Sequence, residues 1–276
     1  MRTHAENAEL ALLLEVAGTP KPGNVDRARD HEDLRFEHFL AGAVGSAAGL
    51  RAAESGAPVG EAFEAAVAGM SDQRGGNTQF GCLLLLVPLV RAAAAGDLSE
   101  EGVRAVCDAT TTADAAGFYR AFEHVDVAVA DPPEGTNALD VRRGADAVPE
   151  LEARGLTLAD VMARSEGDGN AREWREGFPR TFREAERILD DDGPAPDRGA
   201  RAFLRLLAER EDGFVRTTSG PEAAREARER ARACLDGEED PETLAGEFVE
   251  RGINPGTTAD ITCAALYVAL ERGLAV

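Results

Sequence analysis

Apolar residues recur every three or four positions through most of this chain, the spacing that lines one side of an α-helix. The stretches ENAELALLLEVAG, FEHFLAGAVGSAAGLRAAES and PVGEAFEAAVAGM keep this pattern, are rich in Ala and Leu, and carry Gly or Pro at their ends. The same reading predicts helices over GCLLLLVPLVRAAAA, SEEGVRAVCDATTTADAAGFYRAF, AREWREGFPRTFREAERILD, RGARAFLRLLAE, GPEAAREARERARACLD, PETLAGEFVERG and TTADITCAALYVALERG. Only VDVAVAD, at 125–131, alternates as a strand does, and one strand makes no sheet. The expected fold is therefore all-α: a single globular multi-helix domain over 1–276 with central apolar helices. The central pair should be the helix carrying Leu83 to Val90 and the one after Asp260. Pro88 should kink the first of these unless the carbonyl it frees finds another partner. Segments 18–33, 131–137 and 190–199 read as loops, and too few helices follow the last to make a second core.

Charge narrows the partners. Asp plus Glu outnumber Lys plus Arg by 51 to 30, a net charge of -21, which argues against a duplex nucleic-acid binder or an anionic-membrane binder. Local arginine sites could still hold a phosphate. Lys21 is the only lysine. An acidic surface, lysine depletion and 5% aromatic residues fit a halophilic protein. A GC-rich genome would also replace Lys by Arg, but explains the acid excess less readily. Cys82, Cys107, Cys234 and Cys263 are far apart, with no CxxC pair, and are expected to be buried thiols in a reducing cytoplasm. The start lacks the pattern of a signal peptide, and the apolar run at 81–90 is shorter than the roughly 20 residues a bilayer needs.

Five stretches could carry chemistry. GTPKPGNVDR follows directly on an apolar helix, and its prolines prevent the helix from continuing. A loop fixed in this way can hold Lys21, Asn24, Asp26 and Arg27 in one orientation, able to grip a phosphate and its metal, or can be a rigid turn facing water. DHEDLRF then offers Asp30, His31, Glu32 and Asp33 ahead of a helix. Carboxylates there can bind Mg²⁺ or act as a general base, and their alternative role is capping; Glu32 is assigned to capping and Asp33 to function. RGGNTQFG, at 74–81, sets Asn77, Thr78 and Gly81 at the mouth of the most apolar helix, where free amides attract phosphate, although it is no GxxxxGK[ST] loop. GINPGTTADI repeats that design with Gly256, Thr257 and Thr258. Asp260 then falls among apolar neighbours, either as a cap or as a buried functional acid with a shifted pKa, and its surroundings favour the second. In ARSEGDGNAREWREGFPR a continuous helix would stack Arg164, Asp168 and Arg172 on a solvated face; Glu166, Asp168 and Glu173 remain second-rank candidates.

Taken in order, EVAGTPKPGNVDR, HEDL, GGNTQFG, ARSE and NPGTTADI resemble the triphosphoribosyl-dephospho-CoA synthase family from about residue 15 to residue 270. The family pattern is TPKPGLVDR, H-x-D-M, GGVNTHKG and SPGGSADLL. Lys21, Asp26, Arg27, His31, Asp33, Asn77, Thr78, Gly81, Pro255, Gly256, Ala259 and Asp260 fall on its motif positions. The resemblance implies an all-helical enzyme that moves the triphosphoribosyl group of ATP onto dephospho-CoA and releases adenine. The substrates implied are ATP, with Mg²⁺, and dephospho-CoA; a homodimer is left open. Such chemistry calls for a carboxylate base, Asp33 or Asp260, with His31 near by, and for groups that hold the triphosphate: Lys21, Arg27, Asn24, Asn77, Thr78, Gly81 and Gly256, with Asp26 and Asp33 on the metal. The chain departs from the pattern at Gln79 and Phe80, where the family has His and Lys, and at Thr257, where it has Gly. A related ribose transferase or hydrolase with another acceptor, and a non-catalytic nucleotide-binding regulator, therefore stay open.

Overall fold

Local signals place most helix boundaries in the computed structural model, which describes residues 2–132, 135–165 and 167–276; Glu166 lies outside the described residues. The chain runs through α1 (His4–Ala17), α2 (Phe36–Glu54), α3 (Val59–Met70), α4 (Phe80–Ala94), α5 (Glu100–Asp108) and α6 (Thr112–Ala121). Two 3-10 stretches, Asn137–Leu139 and Val141–Ala147, lead to α7 (Val148–Arg154), α8 (Leu158–Arg164), α9 (Gly169–Glu176) and α10 (Pro179–Asp190). The last part is α11 (Ala195–Glu209), α12 (Gly213–Ser219), α13 (Pro221–Leu235), α14 (Pro241–Glu250) and α15 (Gly256–Glu271). Two expected long helices are each divided. Thr111 and Asp114 form a reciprocal cap that starts α6 just after α5 has ended. Gly177 and Phe178 both turn left-handed, at φ 81° and 63°, and separate α9 from α10 before Pro179. VDVAVAD forms no strand; among the described residues the only bridge is the isolated pair Asp26 and Arg29. The loop expected over 190–199 is shorter, because α11 already begins at Ala195.

Helices α4 and α15 are apolar on all sides and pack against each other in the core, as their patterns predict. Pro88 lies inside α4 without ending it. Its ring removes the amide that would have bonded the Leu84 carbonyl, and the buried Trp174 indole of α9 donates to that oxygen at 3.0 Å instead. A second apolar cluster, with Phe203, Leu207, Val215, Leu244 and Phe248, joins α11 to α14. Alanines alternate with arginines and glutamates along α13, so its narrow apolar face suffices to close this cluster. The helices after residue 199 thus do build a second core, which shares α11 and α15 with the first: Ala202 and Ile261 belong to one, Phe203 and Ala259 to the other. Among the described residues no helix is long and apolar enough to cross a membrane.

Candidate active site

Segment 18–35 leaves α1 as an irregular loop whose organiser is Asp26, fully buried. Asp26 Oδ2 accepts from the Thr19 hydroxyl at 2.8 Å, the Lys21 amide at 3.2 Å and the Arg29 guanidinium at 3.2 Å. Its Oδ1 accepts from the Ala28 amide at 2.8 Å. With hydrogen bonds at both oxygens, Asp26 holds the loop in shape. Gly23 turns the chain at φ 76° with its backbone against Ile253; a Cβ there would lie 1.8 Å from the Ile253 carbonyl oxygen, so only glycine fits. Asn24 donates to Asn254 Oδ1 at 3.0 Å and ties the loop to the Asn-Pro-Gly turn ahead of α15.

Lys21 is 0% exposed. Its ammonium is bonded to Glu15, a buried acid within the apolar α1, and donates to Asn24 Oδ1 at 3.2 Å. The Phe203 ring centroid lies 6.0 Å away. An open cation was expected here; the apolar walls instead require the ammonium to neutralise Glu15, because an unpaired buried carboxylate is costly. Burial pushes the Glu15 carboxyl above its ordinary range against the pull of Lys21.

The α4 and α15 starts converge on Asp260, which retains partial exposure although its carboxyl is desolvated. Cys82 donates to Asp260 Oδ1 at 3.2 Å, and the Asn170 amide of α9 donates to Oδ2 at 2.8 Å. Burial first, then the charges of Asp212 and Glu15, push the carboxyl up to about 7 against these hydrogen bonds. Room for the carboxylate comes from Gly81, where a Cβ would fall 1.9 Å from Asp260 Oδ2 and 2.7 Å from Asn170 Nδ2. Asp212, 3% exposed, caps α12 through the Phe214 and Val215 amides and accepts from the Thr258 amide and hydroxyl, both at 2.7 Å. It thereby fixes the first turn of α15 beside Asp260. Gly81→Ala should displace the carboxylate, costing about 1–3 kcal/mol of stability through overpacking and far more activity than that cost accounts for. Paired denaturation and turnover measurements check this.

The other expected residues are dispersed. Asp33 is exposed, and among the described residues no hydrogen bond joins it to Asp260 or to Lys21. His31 bonds the Gly23 carbonyl at 3.1 Å, while Asp30, not Glu32 or Asp33, accepts from the Phe36 amide at 2.7 Å and caps α2. Arg27 pairs with Asp197 at the surface at 3.3 Å. Asn77 Oδ1 accepts from the Phe80 amide at 3.1 Å and Gly256 opens α15 against the Phe214 ring. The Thr78 hydroxyl and both polar atoms of the Gln79 side chain are buried close to Gly42, without partners among the described residues. Phe80 points to the core, its ring 4.9 Å from Phe122 and 5.1 Å from Phe63, and supplies no polar contact. Arg164 ends α8 and Asp168 caps α9, so they share no continuous helix face; Glu173 is buried, accepting from the Thr181 amide and hydroxyl. Glu15, Cys82, Asn170 and Asp212 escaped the sequence reading. A lone acid in ALLLEVAG was the available signal for Glu15, whereas Asn170 lies in a stretch where charges draw attention.

The model of the CitG family, ATP:dephospho-CoA triphosphoribosyl transferase, matches residues 1–275. The chain belongs to this family. Its class is therefore that of a pentosyl transferase, with ATP as the fitting substrate. Among solved structures it is similar to an inferred triphosphoribosyl-dephospho-CoA synthase from Archaeoglobus fulgidus, with 25% identity and a TM-score of 0.71 over 87% of this chain and 100% of that one. No curated protein matches the chain. The family match turns the Asp260 cluster from an unusual buried acid into the candidate centre of a ribosyl transfer.

Proposed function

We propose that this chain transfers the triphosphoribosyl group of ATP to a hydroxyl of dephospho-CoA with Asp260 as the general base. The observation that carries this reading is a carboxyl poised at about 7, placed between two helix starts and given space by Gly81. The acceptor oxygen forms the new bond to the anomeric carbon of ATP's ribose as the bond to adenine breaks. The hydroxyl proton passes to Asp260, and adenine leaves with the bonding electrons and takes up a proton, so the sum is two substrates giving adenine and one product. The amides at the starts of α4 and α15 suit the triphosphate, since helix N-termini favour anions.

The residues expected to hold Mg²⁺ do not form a site for it. Asp26 accepts hydrogen bonds at both oxygens, Asp33 is exposed, and among the described residues no group of three His, Cys, Asp or Glu side chains is arranged to hold a metal ion. Mg²⁺ accordingly enters this reading only as the companion of ATP's phosphates. Incubation with ATP and Mg²⁺, with and without dephospho-CoA, should release adenine only when the acceptor is present, in equal amount to the product. Adenine without acceptor would make the chain a hydrolase, and binding without adenine would make it a nucleotide sensor.

A further inference from the structure

Asn170 is the second residue of α9 and 7% exposed. Its two amide atoms have unequal surroundings. In the ionised form that a base requires, Asp260 can only accept, so the amide nitrogen faces it, and the 2.8 Å bond to Oδ2 satisfies that nitrogen. The oxygen is enclosed and, among the described residues, accepts from no group. A buried acceptor left unpaired costs stability that an Asp260 partner alone does not require, since a serine hydroxyl or a backbone amide could hold the carboxylate as well. The Asn170 oxygen is thus a second acceptor on the same amide that bonds the Asp260 carboxylate, one amide width from it.

Two hydrogen-bond acceptors side by side match two donors side by side. Dephospho-CoA offers such a pair in the vicinal diol of its ribose, and one of those hydroxyls is the nucleophile. We propose that Asn170 determines acceptor specificity: its Oδ1 accepts a hydrogen bond from the hydroxyl adjacent to the attacking one, while the attacking hydroxyl faces Asp260. This rests on the reading of Asp260 as the base. It also gives a reason for the free diol: in CoA one of these oxygens carries a phosphate, which has no donor for Asn170 and adds negative charge beside a carboxylate. A site built to bind a hydroxyl rejects the analogue that lacks it, because its own polar group is left unpaired.

The test compares adenine release from ATP by the full chain and its Asn170→Ala and Asn170→Ser variants, with dephospho-CoA and its 2′-deoxy and 3′-deoxy analogues as acceptors. One analogue lacks the nucleophile and should be inert throughout. The other lacks only the neighbouring hydroxyl; on the parent its kcat/KM should fall about 10- to 100-fold below that of dephospho-CoA, the size of one buried hydrogen bond. On Asn170→Ala the same two acceptors should differ by less than about threefold, whereas a purely structural role would lower both and leave their ratio unchanged. Circular dichroism verifies folding, and Asn170→Ser carries the comparison if the alanine variant fails to fold. An undiminished ratio in the folded variants overturns the proposal, as does a loss that follows deoxy-ATP in place of the deoxy acceptor. If the parent releases no adenine with dephospho-CoA, the transfer reading itself falls.

Discussion

Asp260→Asn should reduce adenine release by a factor of about 10² to 10⁴, the range that a positioned base supplies, while leaving the protein more stable than the parent above neutral pH. The stability half follows from linkage. An unfolded Asp ionises near 3.8, but burial and the neighbouring charges of Asp212 and Glu15 hold the folded carboxyl up to about 7. Between those values the folded state binds more protons than the unfolded state, so the stability contributed by this group is full below the lower value and is lost as pH rises through the upper one. A neutral amide of the same shape escapes that loss. Melting temperatures of parent and variant should therefore be close in acid and separate in the variant's favour by pH 8. In the parent, kcat/KM should rise with pH around a midpoint near 7, because the base must be unprotonated. A rate that instead falls through this range would make Asp260 an acid, and a variant with full turnover would remove it from the mechanism.

The opposite effects expected on activity and stability bear on what a sequence can disclose. Asp260 was legible as a candidate because a charged side chain inside an apolar pattern is a local inconsistency, and such inconsistencies collect where function overrides packing. Its helix was legible for the same reason that α4 was: long apolar runs leave little choice of structure. Asn170 and Cys82 could not be found this way. Their place beside Asp260 comes from the approach of α9 and α4 to α15, a contact between residues 90 and 178 positions from Asp260, and no local pattern encodes such a meeting. The fold shows the same division. Caps at Thr111 and the left-handed pair at Gly177 and Phe178 divide helices that periodicity alone had fused.

The PKPG loop shows that a motif's rigidity is legible in sequence while the partners of its charged groups are not. Two prolines and a glycine do fix the backbone, but the fixed shape turns Lys21 inward onto Glu15 and spends Asp26 on the loop's own amides and hydroxyl. Arginine depletes the surface of lysine without constraint, whereas at Lys21 the space is closed on every side. In the structure Lys21 is the counter-ion of buried Glu15. Glu15, its partner on α1, raises the Asp260 pKa, so the pair reaches the candidate centre by charge as the loop does by backbone.

Lys21→Met should accordingly destabilise the fold by about 3–5 kcal/mol, the usual cost of stranding one partner of a buried ion pair. Glu15 would then be a buried carboxylate without a cation. Its pKa is already raised by burial, and losing Lys21 removes the charge that opposes the rise, so the defect should deepen as pH increases and shrink in acid. The double variant Glu15→Gln with Lys21→Met should recover most of the loss, since it removes both charges and leaves an amide able to bond Asn24 or its neighbours. Lys21→Arg separates size from charge: it keeps the cation but needs room for a planar fork where none exists, and should cost about 1–3 kcal/mol through overpacking. Chemical denaturation of the four proteins at two pH values gives all these quantities. If Lys21→Met kept parental stability but lost affinity for ATP, the ammonium would be a phosphate ligand after all, and the buried pair with Glu15 would have no structural weight.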